Sequence, residues 1–472
     1  MKISQAATIL PGILAAGAVA ALVLWIGTAG VDDLEARVPG LDRPEGAAAS
    51  MLETAPVAGE PVRADGEPSD LPGSWPCFRG PAGDGIDPQS VPLARKWPDT
   101  GPPVLWSIEL GPGHAGAAVA DGCVFVLDYD VENEADTLRC LSLADGREIW
   151  HNGYPIEVVE NHGMSRTVPA VADGFVVTIG PRCHAACWDA TTGECRWLLD
   201  MVLEYHAKVP EWYTAQCPII DGGRVILAPS GDAFMIAVDL ASGEVVWESP
   251  KVRNWDMTHV SILATEFAGR RMYVYCGSRG AAGVAADDGS LLWESTDWVG
   301  NMATCPTPIA VGDGRIFFTG GYKAGSLMLE LVDAGGQIHA EPLVRLDYKQ
   351  FDSEQQTPIL FDGHLYGVRT KDAGEQLACI ELDGREIWNS GKDKFGRGPY
   401  LMADGLIYVL EDRGLLTMVE ATGEGYKPLD RFQVFQRAHD AWGPMAIAAG
   451  RLILRDLTRM VCLDVSAAGT EP

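Results

Sequence analysis

Tryptophan returns at a near-constant interval through this chain, and each return closes the same phrase. Trp106, Trp150, Trp197, Trp247 and Trp293 are spaced by 44, 47, 50 and 46 residues, and Trp388 follows after 95, two periods. The phrases read ADGREIW, TTGECRW, ASGEVVW, DDGSLLW and DGREIW. Ahead of each lie further apolar strands with their own turns, as in VPAVADGFVVTIG (168–180), TPILFDGHLYGV (357–368) and LMADGLIYVLED (401–412). Gly in those turns supplies the positive φ that a tight hairpin needs. Four short antiparallel strands per unit, repeated at this period, specify a β-propeller blade.

Eight units begin near Ala117, Val168, Cys217, Ser261, Thr307, Thr357, Tyr400 and Gly443. The fifth and seventh lack the closing Trp. The eighth stops at VCLDV (461–465) before its last strand, whereas PPVLWSIEL (102–110) carries a Trp and has no blade before it. The expected fold is therefore all-β: eight four-stranded blades, the last completed by the N-terminal strand. Closure of that kind removes a sheet edge open to pairing with other chains. The 54 Gly and 30 Pro suit such a turn-rich chain.

With 36 basic against 65 acidic residues the net charge is −29, so the basic footprint of a nucleic-acid binder is absent. Ala6 to Val31 carries no charge and is long enough to span a bilayer. Lys2 precedes it and Asp32, Asp33 and Glu35 follow, which keeps residues 1–5 cytoplasmic. A cleaved signal peptide is the rival reading, since Thr28-Ala29-Gly30 offers small residues; the length favours an uncleaved anchor over 6–31. In either case the body is exported, and the anchor puts the propeller (75–472) in the periplasm on the inner membrane. Residues 32–74, rich in Ala, Gly, Pro and acidic residues, read as a flexible linker with too little apolar surface to offset its ordering entropy.

The repeat resembles that of the PQQ-like β-propeller proteins, A-x-D-G-x-V-Y-V…L-x-C/A-L-D-A-x-T-G-E-x-x-W. That group includes the outer-membrane assembly factor BamB and the quinoprotein alcohol dehydrogenases. Trp75-Pro76-Cys77-Phe78-Arg79-Gly80-Pro81, followed by Gly83-Asp84-Gly85, is similar to the W-P-x-F-R-G-P-x-G-x-G lead-in of bacterial PQQ-repeat proteins common in planctomycetes. The resemblance covers about residues 100–466 and speaks to fold more than to activity, because one fold hosts many functions.

Cys140, Cys187, Cys379 and Cys462 share one repeat position, where other blades carry Ala237 and Ala285 or a neighbouring small residue; they read as small apolar fillers rather than disulfide or metal ligands. The recurring Trp150, Trp197, Trp247, Trp293 and Trp388 read as blade-docking residues.

The segments that lead into each first strand should line the mouth of the ring. They concentrate His114, His162, Arg166, Trp212, Trp255, His259, Trp298, Asn301, Gln356, Arg397, His439 and Trp442, the aromatic and polar mixture a ligand pocket needs. No Walker loop, H-E-x-x-H or G-x-S-x-G occurs. The resemblance implies a non-catalytic scaffold like BamB, binding a protein or peptide partner in the cell envelope. The other reading it implies is a dehydrogenase holding pyrroloquinoline quinone (PQQ) and Ca²⁺ in the channel. The adjacent Cys-Cys pair of those dehydrogenases is missing here, and none of their catalytic Asp or calcium ligands can be carried over.

Overall fold

In all eight blades the first two strands are joined by a two-residue turn with positive φ at both positions, from Asp121-Gly122 in the first to Ala449-Gly450 in the last. This is the hairpin turn whose twist matches that of its strands. The computed structural model describes residues 18–22, 55–89, 91–300, 303–438 and 440–467. It shows eight sheets, each built on four antiparallel strands, whose first strands begin at Ala117, Ala170, Ile219, Leu263, Ile309, Ile359, Tyr400 and Ala446. The last sheet consists of Ala446–Ala448, Arg451–Arg455, Arg459–Asp464 and Val104–Glu109, with Trp106 opposite Cys462. First strands of blades 8 and 1, 1 and 2, 2 and 3, and 4 and 5 touch, which puts the first strands around the axis.

One contact repeats around the ring. The indole N–H of Trp106, Trp150, Trp197, Trp247 and Trp388 donates to the carbonyl of Leu143, Ala190, Leu240, Ala286 and Thr422 respectively, at 2.8–3.2 Å. Each acceptor lies at the corner between the third and fourth strands of the next blade. A corner glycine closes over the ring: a Cβ on Gly193 would stand 2.6 Å from the Trp150 ring, and Gly193 has φ +76°. Opposite each of these tryptophans on the third strand sits a small residue: Cys140, Cys187, Ala237, Cys379 or Cys462. Those four cysteines are fully buried, and all eleven in the chain are free thiols. Trp293 departs from the pattern. It is buried opposite Gly283, and its N–H meets the Met272 sulfur of its own blade.

The linker expectation fails from Gly59 onward. Gly59 bonds to Gly153, Val62–Arg63 pair with the outer strand of blade 1, and Ser69 bonds to Gly122. Composition reports only what a segment can bury by itself; here the exposed strand edge supplies backbone partners. Residues 32–54 lie outside the described residues. So does the expected anchor over 6–31, except for a helical stretch at 18–22. Among the described residues no helix is long and apolar enough to cross a membrane.

From Ser69 the chain turns into the channel. Trp75 pairs with Val119 in blade 1, Pro76 accepts from Val171 in blade 2, and Arg79 donates to Thr357 and Pro358 at blade 6. Ile86–Asp87 then run parallel to Met402–Ala403 of blade 7. Blades 2 and 6 face each other in a ring of eight, so the lead-in motif crosses the axis and plugs it.

Truncating Trp150 to Ala should cost about 3–5 kcal/mol. Gly193→Ala, whose new methyl would strike the same ring from a strained backbone, should cost about 1–3 kcal/mol. Because both remove one contact, their effects in urea unfolding should be less than additive.

Candidate functional site

On the face reached by the segments entering the first strands, a cavity of about 290 Å³ opens at the axis. Eight of the twelve sequence-selected residues line it: His114, His162, Arg166, Trp212, His259, Gln356, Arg397 and Trp442. Trp255 and Trp298 do not. Both are buried between blades, Trp255 against Phe234 and Gly280 and Trp298 against Phe318 and Gly320. A large ring beside a glycine-containing corner is drawn into that gap rather than left at the mouth. Asn301 and His439 lie outside the described residues.

Sequence reasoning missed Phe78, Cys217, Cys305, Tyr322 and Glu354. Phe78 comes from the plug and makes the cavity one-ended. Its signal was the W-P-x-F-R-G motif, read as a family mark rather than as a wall. Tyr322 comes from a corner between second and third strands, a loop set that was not considered.

Two imidazoles are held alike. His114 Nε2 lies 2.7 Å from the His162 carbonyl, and His259 Nε2 lies 2.7 Å from that of Glu211. A carbonyl only accepts, so each Nε2 carries the hydrogen and each Nδ1 is left with a lone pair. Burial pushes His114 down to about 3, helped by the nearby Arg166 charge, and His259 down to about 4. Both are neutral at pH 7. Burial likewise raises Cys217 to about 11 and Cys305 to about 12, so neither presents a thiolate.

The aromatic side is built around Trp442. His114 stacks on it at 5.1 Å, and the Arg397 guanidinium lies 5.4 Å over it. Its N–H donates to Asp412 at 3.0 Å, and Gln356 donates to its carbonyl. Arg397 is paired with the buried carboxylate of Glu354. Across the cavity Trp212 packs against His259 at 6.3 Å. Trp212 and Tyr213 both hold left-handed backbone, with φ of 62° and 69°. Two such non-glycine residues in succession store strain, which the Tyr213 hydroxyl helps to fix through its bond to the Val159 carbonyl.

The arrangement defines a rigid propeller with a plugged channel and an aromatic pocket at one mouth. A family profile described as outer membrane protein assembly factor BamB matches residues 134–390, and the chain belongs to that family of PQQ-repeat propellers. No curated protein sequence matches it. Among solved structures, BamB from Moraxella catarrhalis aligns with a TM-score of 0.54 at 13% identity, over 77% of this chain and 99% of its own. A europium-containing methanol dehydrogenase aligns with 0.59 at 13% identity, over 84% and 90%. At such identities the likeness is one of fold alone.

Acid should expose the two histidines. Their folded values lie below the ordinary imidazole 6.5, so the unfolded chain takes up the protons first. Their contribution to stability is complete above pH 6.5 and is lost progressively as pH falls toward the folded values. The double variant H114Q/H259Q should therefore lose less stability than the parent between pH 7 and about pH 4 in urea unfolding.

Proposed function

We propose that this chain is a non-catalytic binding scaffold of the cell envelope. Its mouth loops and pocket engage a protein or peptide partner, as the name of its family, an assembly factor, suggests. Residues 6–31 hold it in the inner membrane with the propeller in the periplasm.

One observation carries the reading: among the described residues the pocket has no set of groups arranged for chemistry. Its floor is the chain's own plug, His114 and His259 are tied to backbone carbonyls, and its one carboxylate among the described residues, Glu354, is already paired. The PQQ–Ca²⁺ couple of the related dehydrogenases does not fit this donor set. Among the described residues no group of three His, Cys, Asp or Glu side chains could hold a metal ion. A planar triacid would meet two arginines, of which one is neutralised.

Purified chain mixed with PQQ and Ca²⁺ should show no dye-linked alcohol oxidation; turnover would overturn the scaffold reading. In cells, the full chain should stay with the inner membrane and be open to protease from the periplasm. Removal of residues 1–31 should release it from the membrane, and retention without them would refute the anchor.

A further inference from the structure

The pocket contains a cation without a counter-charge. Arg166 lies on its wall, and its Nη2 donates to the carbonyls of Asn161 and Gly163 at 2.8 and 3.0 Å. Nε is closed off from solvent and has no partner. Among the described residues no carboxylate stands within ion-pair distance of Arg166. The second arginine of the same wall is the internal comparison, since Arg397 has Glu354. The two neutral imidazoles add no charge. A cation held away from water is costly unless paired, and here the protein supplies no pair although its surface is crowded with acids.

The same cavity holds an unmet acceptor. His114 Nδ1 is buried without a partner. Around these two groups stand Trp212, Trp442, Phe78 and Tyr322, which offer flat apolar area.

We infer that the pocket binds an organic monocarboxylate with an aromatic or apolar body, its carboxylate on Arg166 and its body among Trp212, Trp442 and Phe78. A donor hydrogen on the ligand, such as an amide N–H, satisfies His114. With Nη2 already bonded and Nε closed off, Nη1 is the donor left for the carboxylate, a charge-assisted hydrogen bond, and the aromatic walls set the preference for the remainder. Among the described residues Arg166 is the one wall arginine without a carboxylate, which sets the charge at one. The inference deepens the scaffold reading, taking the cavity as a binding rather than a reacting site.

Calorimetry on the full chain tests it with indole-3-acetate against indole-3-acetamide. The acid should bind about ten- to a hundredfold more tightly, the usual worth of hydrogen bonds to a charged group. R166Q should remove that preference, so that acid and amide bind alike, while R166K should retain part of it. A tripeptide ending in Trp, with free or amidated C-terminus, separates sources: if it binds as well as the small acid, the ligand is a chain end; if it is excluded, a free metabolite. Equal affinity for acid and amide in the parent protein would overturn the inference without reference to any variant. So would acid binding that survives R166Q, inorganic phosphate that competes as well as the acid, or no binding of either acid. Those failures leave the scaffold reading standing, because that reading falls to PQQ-dependent turnover instead.

Discussion

The indole that reaches from one blade to the corner of the next is the contact on which the rest of this molecule depends. It combines three demands in one place: a large ring, a small residue across the strand to make room for it, and a corner whose backbone can turn left-handed above it. Trp150 illustrates all three, with Cys140 opposite, the Ala190 carbonyl accepting its N–H, and Gly193 folded over its face. The repeat period, the four cysteines opposite the indoles and the glycine at the corner between third and fourth strands are consequences of this one arrangement. Without it each blade would be a four-stranded sheet with two apolar faces and nothing to cover them.

The plug shows how the same frame is turned toward binding. An open propeller channel passes from face to face; here the lead-in loop enters, crosses the axis and returns, and Arg79 fastens its tip to blade 6. What would be a pore becomes a cup. Its walls come from loops of many blades, which is why residues far apart in sequence, from Phe78 to Trp442, meet within one cavity. The left-handed backbone at Trp212 and Tyr213 belongs to this cup and not to the blades.

Much of this was legible in the chain because the blade is local. Strand starts read near Ala117 and Tyr400 coincide with the observed ones, and Val168 and Gly443 fall within three residues of theirs. Legibility ended where a side chain chooses between two environments at similar sequence positions. Trp442 and Trp298 both precede a first strand. One stays at the mouth because Asp412 accepts its N–H, and the other sinks against Gly320. Periodicity contains no term for that choice. Nor does it reveal that the acidic linker composition would find a strand edge, as Val62 and Arg63 do beside His151 and Trp150.

The final sheet takes one strand from the start of the ring and three from its end. During synthesis Trp106 emerges long before its partner Cys462 and must wait for it. Until then blade 8 does not exist, blade 1 has no neighbour on one side, and the plug has only part of its socket. The ring therefore closes only once Cys462 has emerged, in one late step dominated by contacts between distant parts of the chain. Such steps are slow and leave edges exposed meanwhile. A protein built this way needs protection from its neighbours for as long as that interval lasts.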